Sequence, residues 1–330
     1  MSYDDRSIKP MSASLMRARI ATRLLAGIYE NAPTLLTSAV RLSVELPGGS
    51  TPTGPPYPFE FAVSPAWCSG VNGARLVGTQ KLDIAWLNPS VIATMAYLGK
   101  GPFRRALPLR ALAVFPSWDR LVVAASKDLG VRSLDELLEK RPALSVSVAD
   151  NDCVNFAIRA LLKAHGLKLE NFVAWGGTVD RVARPSNPRR REGITSGKLQ
   201  LVIDEGLDSW GQLALEHGMT FLPLSPRALT RLERYGFRRA RLSGERLQGK
   251  FANATEVIDY SGWPIVTHAG FPEELAYQFA AALDRIREDI PYDSDQIPPT
   301  SSLCRDTEEG PLDIPLHPGA ERYYREKGYL

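Results

Sequence analysis

The chain has 330 residues, of which 44% are hydrophobic and 23% are charged, so it can bury a core large enough for two lobes. Its 40 basic and 37 acidic residues nearly balance, which gives no basis for a nucleic-acid partner. The three cysteines and four histidines are widely spaced, without the short spacings typical of zinc sites or disulfide frameworks. We therefore predict no metal, no cofactor and no nucleic-acid partner.

The N-terminal segment predicts an amphipathic helix and not an export signal. Apolar residues between Leu15 and Tyr29 recur near helical spacing, and arginines interrupt them. A secretory signal instead needs a basic start followed by ~7–15 apolar residues. No apolar run approaches the ~20 residues that span a bilayer. We therefore expect a cytoplasmic protein without direct membrane insertion, or a periplasmic one if the true N-terminus differs.

Apolar alternation and helical spacing predict the elements in chain order. They are strands at 41–46, 82–86, 111–115, 121–125, 144–149, 172–175 and 199–204, and helices at 70–78, 133–140, 152–165, 273–290 and 321–327. Ser133 opens its helix with a capping box in which Glu136 reaches back to the helix start. Strands that alternate with helices predict a parallel-rich sheet covered by helices.

Two similar segments indicate two related lobes. Residues 81–86 resemble residues 198–203, and polar residues follow both, Asn88 in the first case and Asp204 in the second. Ligands of open α/β sheets bind beyond the carboxyl ends of the strands. The predicted fold class is therefore α/β and two-lobed, with a parallel-rich sheet in each lobe and a ligand cleft between them.

The stretch from Gly78 through Leu82-Asp-Ile-Ala-Trp86 to Asn88-Pro-Ser90 resembles type-two periplasmic solute-binding proteins. Residues 121–137 resemble that family's crossing strand and the helix after it. The ending, with Pro-Leu-His-Pro-Gly-Ala at 315–320, resembles the TAXI receptors of tripartite ATP-independent periplasmic (TRAP) transporters. The N-terminal Gly-rich ligand loop of those receptors is not recognisable.

This resemblance covers about residues 60–330 and implies two lobes that close on a small organic anion or an amino-acid-like ligand. It also implies a membrane transporter subunit as partner. We expect lobe one to comprise residues 1–123 and 226–330, and lobe two to comprise residues 124–225.

The candidate ligand-binding residues follow predicted strands or line the opposite wall. They are Trp67, Ser69, Asn88, Ser90, Trp118, Asp119, Arg120, Asn151, Trp175, Gly176, Gly177, Arg184, Asp204 and Glu205. A helix that begins after Asn88 would offer free amides to an anion, or the segment is a plain strand-to-helix turn. Trp118 and Arg120 suit a planar carboxylate, or Arg120 forms a structural pair with Asp119.

The remaining candidates also have two interpretations each. Asn151 binds a ligand oxygen or caps a helix, and the glycines after Trp175 permit close ligand approach or form a turn. Arg184 reaches the ligand or is solvated. Asp204 and Glu205 bind an amine or a hydroxyl, act as acid and base, or cap a helix. The basic stretches near 189–191 and 231–241 are typical of a solvated face.

These observations favour a non-catalytic solute-binding protein. An enzyme on the same scaffold, either decarboxylase-like or active in cofactor-precursor synthesis, is the alternative, because a fold does not fix a function. A cytoplasmic ligand sensor is the second alternative. The sequence shows no nucleophile–base pair or phosphate-binding loop that would favour catalysis.

Overall fold

The computed structural model describes residues 70–247, 254–285, 287–289 and 297–330. The predicted elements before residue 70 and the candidate residues Trp67 and Ser69 lie outside these ranges. The helices are α1 (Val71–Gly78), α2 (Ser90–Leu98), α3 (Leu134–Lys140), α4 (Asn155–Ala164), α5 (Leu169–Ala174), α6 (Pro188–Thr195), α7 (Leu207–Glu216), α8 (Pro226–Tyr235), α9 (Glu273–Arg285) and α10 (Pro318–Glu326). The strands are β1 (Ile84–Trp86), β2 (Leu109–Phe115), β3 (Arg120–Ser126), β4 (Ser145–Ala149), β5 (Thr178–Val182), β6 (Leu201–Asp204), β7 (Met219–Phe221), β8 (Arg239–Leu242), β9 (Thr255–Asp259) and β10 (Trp263–His268).

The first sheet has the strand order β1-β10-β2, and both pairings are antiparallel. Its strands are buried on both faces. Ala111 packs on the side of α1 and α2, while the next residue, Leu112, packs on the side of α9 and α10. Helices therefore cover both faces, which explains why β2 is apolar along almost its whole length.

The second sheet has the order β5-β4-β6-β3-β9-β8, with β7 beside β3. β4 pairs in parallel with β5 and β6, and the other pairings are antiparallel. Successive residues of β3 again face two helical layers: Val123 packs with the cluster of α4 and α8, and Val122 with that of α6 and α7.

The predicted two-lobed α/β fold class is confirmed, but one of its details is wrong. Among the described strands, parallel pairing is limited to β4 with β5 and β6, apart from an isolated parallel bridge between Ala111 and Leu316. The first sheet is not parallel-rich. Hydrophobic alternation shows that a strand is buried but not which way its neighbour runs, so the sequence could not distinguish the two arrangements.

Two short segments connect the sheets and run side by side. Residues 116–119 join β2 to β3, and residues 260–262 join β9 to β10. The Tyr260 amide donates to the Asp119 carbonyl at 3.1 Å, and the Gly262 amide donates to the Ser117 carbonyl at 2.8 Å. We call these segments the crossing pair. The lobe limits at 123 and 225 stay a prediction, and the strands β8 and β9 that follow residue 225 belong to the second sheet.

One predicted strand is a helix. The apolar run 172–175 reads as a strand, but residues 169–174 form α5, in which Leu169 and Phe172 are buried three residues apart. Such a short apolar run fits both the period of a strand and that of a helix, and the packing of Leu169 and Phe172 in the core favours the helix. The capping box is confirmed in part: Ser133 Oγ accepts from the Glu136 amide at 3.1 Å, whereas the Glu136 carboxylate accepts from the Arg132 amide at 3.0 Å.

Candidate functional site

Strand ends and helix starts from both sheets meet beside the crossing pair, and we call this region the interlobe junction. The Asp152 carboxylate, just before α4, accepts from the Asn72 amide in the first turn of α1 at 2.8 Å. Gly70 packs so closely that a Cβ there would lie 2.4 Å from the Asp152 carbonyl oxygen. The lobes therefore contact each other directly, because the start of α1 packs against the turn that leads into α4.

Asp119, in the crossing pair, caps helix α7 of the second lobe. Its Oδ2 accepts from the Gly206 amide at 2.7 Å, and its Oδ1 lies 3.5 Å from the Leu207 amide. An anion is stabilised at a helix N-terminus by the free amides and the helix dipole. An internal carboxylate therefore occupies the position that an anionic ligand would otherwise take at this helix.

Glu205 shares a hydrogen bond with Asp119, and both carboxyls are half-buried. Burial raises the pKa of Asp119 to about 6, although hydrogen bonds from Glu205 and from the Gly206 amide favour its charged form. Burial and the charges of Asp119 and Asp204 raise the pKa of Glu205 well above its usual value. A hydrogen bond between two carboxyls needs a proton, and the more strongly raised pKa makes Glu205 the donor and Asp119 the acceptor.

Asp204, at the end of β6, forms a buried ion pair with Arg190 of α6. The Arg190 Nε also donates to Ser147 Oγ of β4 at 3.0 Å, and both charged side chains are 0% exposed. Arg190 Nη2 has no hydrogen-bond partner among the described residues. The prediction of a solvated face at 189–191 is wrong for Arg190, because it shares the buried side of α6 with Ile194, one helical turn later.

Arg120 does not offer its guanidinium to a ligand. The side chain is 2% exposed and donates to Asp259 Oδ1 at 2.8 Å and to Ser261 Oγ at 2.7 Å. Its other amino group donates to Glu308 at 2.6 Å, and the guanidinium lies 4.7 Å from the centre of the Trp118 ring. The hypothesis that Trp118 and Arg120 bind a carboxylate is therefore replaced by a structural role: they fasten the crossing pair.

Asn151 holds together the turn that leads into α4, which begins at Asn155. Its Oδ1 accepts from the amides of Cys153 and Val154 at 2.9 and 3.2 Å, and its Nδ2 donates to the Ala183 carbonyl at 3.2 Å. These bonds tie the start of α4 to the end of β5. The amides of Cys153 and Val154 therefore donate to Asn151 and do not face a ligand.

Replacing Asn151 with alanine should lower the free energy of unfolding by about 1 kcal/mol, the usual net contribution of a side-chain hydrogen bond. Urea denaturation followed by far-UV circular dichroism measures this loss. Asn151→Asp keeps an oxygen acceptor and should recover most of it. Equal losses for the two variants would show that the side-chain oxygen is not the source of the stability.

Asn88 and Ser90 lie at the start of α2, against the crossing pair. The Ser90 amide donates to the Ser261 carbonyl at 3.2 Å, and Ser90 is 3% exposed. Ser90 Oγ has no partner among the described residues and faces Gly262, where a Cβ would lie 2.3 Å from it. Asn88, which precedes a cis proline, is half-buried. Asn88 is thus the better placed of the two to meet a ligand.

Trp175, Gly176 and Gly177 lie away from the junction. They follow α5 and precede β5, and the Thr178 amide donates to the Leu144 carbonyl at 3.0 Å, beside the start of β4. They therefore occupy the amino-terminal edge of the parallel strands. The junction lies at the opposite edge, where Arg184 follows β5 and Glu205 follows β6. A strand at 172–175 would place these three residues at the junction edge, but they follow helix α5 and lie at the opposite edge.

Asp152, Arg190 and Ser261 belong to the junction but were not among the predicted residues. The burial of Arg190 could have been predicted, because Arg190 and the apolar Ile194 lie four residues apart and so share one face of a helix. Ser261 had none: its hydroxyl accepts from the Asp119 amide, 142 residues away in the chain, at 3.0 Å. Such a contact depends on how the two crossing segments pack.

Two features bear on the chemistry of the described residues. No group of three or more histidine, cysteine or acidic side chains among them is arranged to hold a metal ion. Within the same ranges, no helix combines the length and the apolar character needed to cross a bilayer. Asp119 and Glu205 form a hydrogen-bonded pair of carboxyls at the junction, and both have raised pKa values.

No known protein-family model matches the chain. Among solved structures, it is similar to a binding-protein component of an ABC phosphonate transporter from Pseudomonas aeruginosa, with 11% identity, a TM-score of 0.42, and coverage of 85% of this chain and 76% of that chain. It is also similar to PhnD1 from Prochlorococcus marinus in complex with methylphosphonate, with 8% identity, a TM-score of 0.41, and coverage of 96% and 94%. A third similar structure is the substrate-binding protein of an amino acid ABC transporter, with 12% identity, a TM-score of 0.30, and coverage of 83% and 81%. The first and the third of these structures are binding proteins of ABC transporters.

Proposed function

We propose that the chain is a solute-binding protein whose lobes close on a small polar molecule at the interlobe junction. The crossing pair carries this proposal. Strands change sheet at 116–119 and at 260–262, and these adjacent segments provide an axis about which the lobes can rotate. The contact between Asp152 and Asn72 lies where such a rotation would open or close the cleft.

The ligand would meet Asn88 from the first lobe and Arg184 and Glu205 from the second. Arg184 is exposed at the junction edge, and we propose that its guanidinium contacts a carboxylate of the ligand. A carboxylated ligand, a TRAP-type receptor role and a membrane transporter partner are parts of this proposal. The cytoplasmic location remains a prediction, because residues 15–29 lie outside the described ranges.

A thermal-shift panel of amino acids and small carboxylates tests this function. A ligand present at a hundredfold excess over its Kd should add about 2.7 kcal/mol to the stability of the folded state. Asn88→Ala and Arg184→Ala should weaken the shift, whereas Asp128→Ala, an exposed residue far from the junction, should leave it unchanged. A panel in which no compound stabilises the protein would contradict solute binding.

The rotation itself is tested without a known ligand. Asp152→Ala removes the acceptor of the Asn72 amide, so the ligand-free protein should open, and small-angle X-ray scattering should report a larger radius of gyration than for the parent. A saturating ligand should restore the compact value. An unchanged radius in Asp152→Ala would show that this contact does not hold the lobes together.

An enzyme on the same scaffold is the second candidate, because carboxyls that share a proton are typical of acid–base sites. Glu205→Gln separates the two functions. In a binding protein the substitution changes affinity only, whereas in an enzyme it abolishes turnover of a ligand that still binds. Mass spectrometry of a bound ligand after incubation distinguishes these outcomes.

A further inference from the structure

Two neighbouring surface grooves are lined by basic side chains. The first has a volume of about 560 Å³ and lies between α1 and residues 102–107. Its cations are Arg75, Lys81, Arg104 and Arg105. The second has a volume of about 640 Å³ and lies between α4 and α8. Its cations are Arg159, Lys163 and Arg231. No described residue that lines either groove carries a carboxylate.

The grooves meet at the boundary between the lobes. Pro102 lines the first groove and Tyr235 lines the second. Between them, a Cβ on Gly101 would lie 3.3 Å from the Tyr235 ring. Lys100 is exposed at the same place, and its Cβ lies 3.3 Å from where a Cβ on Gly236 would be. We call the seven groove cations together with Lys100 the basic face.

The basic face lacks the neutralising carboxylate partners that several other surface cations have. None of its side chains forms an ion pair with another described residue, although other exposed arginines do. Examples are the pairs of Arg132 with Glu136 at 3.1 Å and of Arg322 with Glu274 at 2.6 Å. Because the whole chain carries a net charge of only +3, this face concentrates positive potential that the rest of the surface balances.

Arg75 and Arg231 of the basic face are held in place by hydrogen bonds. The Arg75 Nη2 donates to the Pro102 carbonyl at 2.9 Å, and its guanidinium lies 5.7 Å from the centre of the Phe103 ring. The Arg231 Nη1 donates to the Ala164 carbonyl at 2.7 Å. Positioned charges lose less conformational entropy when a partner binds, so these contacts prepare the face for binding.

Aromatic rings form the floor of the second groove. Phe156 and Phe237 stack with their centres 5.9 Å apart, and Tyr235 stacks on Phe237 at 5.8 Å. These rings face one another, and Phe103 of the first groove is buried. They therefore do not offer the exposed faces on which nucleobases stack. The concave shape likewise disfavours a flat bilayer and favours a narrow chain.

We propose that the basic face docks an acidic, extended segment of a partner protein, and that this segment crosses from one lobe to the other. Charge complementarity supplies the attraction and sets the orientation of the segment. Because each lobe contributes one groove, the bound segment contacts both lobes and its affinity depends on their relative position. The docking surface borders the interlobe junction at Asn72, which lines the first groove, and it does not require the proposed ligand.

Fluorescence anisotropy with a labelled peptide rich in glutamate and phenylalanine tests the proposal on the full chain at physiological salt. Arg104→Glu/Arg105→Glu alters the first groove, and Arg159→Glu/Lys163→Glu alters the second. Each should weaken binding about tenfold, the effect of losing two exposed charge pairings. Lys127→Glu/Lys198→Glu changes the net charge equally at exposed positions outside both grooves and should have little effect.

The proposal is overturned if the control variant weakens binding as much as the groove variants, or if only one groove matters. It is also overturned if phosphatidylglycerol vesicles or single-stranded DNA bind more tightly than the peptide and lose binding in the same variants. Glutamine in place of glutamate at the four groove positions provides a milder set should a charge reversal impair folding. Thermal unfolding of each variant in parallel establishes that it is folded.

Discussion

Replacing Arg190 with methionine should lower the free energy of unfolding by about 3–5 kcal/mol, the largest stability effect we expect from one substitution at the junction. The guanidinium is fully buried against Asp204, and its Nε also satisfies the Ser147 hydroxyl. Methionine would fill much of the space but leave a buried carboxylate without a countercharge. Urea denaturation at neutral pH, with the dependence on denaturant concentration compared between variants, measures the loss.

Two further variants identify the cause of that loss. Arg190→Met/Asp204→Leu removes both charges and should recover most of the stability, because the main cost is the unpaired carboxylate. Arg325→Met breaks an exposed pair with Glu321 and should cost no more than about 0.5 kcal/mol. If Arg190→Met cost as little as Arg325→Met, the buried pair would not stabilise the second lobe.

Glu205→Gln should raise the free energy of unfolding at pH 8 by on the order of 2 kcal/mol, the usual scale for a buried charged group without adequate partners. Deprotonated Glu205 would lie beside Asp119 and Asp204, whose charges raise its pKa. The amide of glutamine can donate to Asp119 as protonated Glu205 does, but it carries no charge. Unfolding curves at pH 8 and at pH 5 measure the difference.

The sign of the pH dependence follows from the raised pKa values of the pair. Burial raises the folded-state pKa of Asp119 to about 6 and that of Glu205 well above 4.5, so the folded state binds more protons than the unfolded state between about pH 4 and 6. Lowering the pH through this window therefore stabilises the parent protein. The difference in free energy of unfolding between Glu205→Gln and the parent protein should become smaller.

The histidines act in the opposite direction but do not obscure this comparison. Burial lowers the pKa of His165 and of His317, so their contribution to stability falls as the pH drops below 6.5. Both variants contain these histidines, and the difference between the two curves cancels them. A constant difference from pH 8 to pH 5 would mean that Glu205 does not share a proton with Asp119.

If both expectations hold, the junction combines two arrangements of charge with different functions. Arg190 and Asp204 form a fixed pair inside the second lobe. Asp119 and Glu205 connect the crossing pair to α7 through a shared proton, which a rise in pH would remove. Closure around a ligand would then depend on pH through Asp119 and Glu205 and not through the pair of Arg190 and Asp204.

The sequence predicted most of the local structure correctly. The helix at 70–78 and the strands at 111–115 and 121–125 are confirmed within a few residues, since apolar period and turn residues act over one or two helical turns. The strand ends at Asn88 and Asp204 were found in the same way. The strand predicted at 172–175 failed because a short apolar run fits both periods.

The sequence by itself thus determined the α/β class, the buried strands and the polar strand ends. Only the tertiary structure decided the strand directions, the burial of Arg190 and which candidates meet at one site. Asp119 and Gly206 lie 87 residues apart, and Arg120 and Asp259 lie 139 apart. The physical reason is one of range: propensity and periodicity act between near neighbours, whereas these pairings depend on how two sheets pack and where the chain crosses between them.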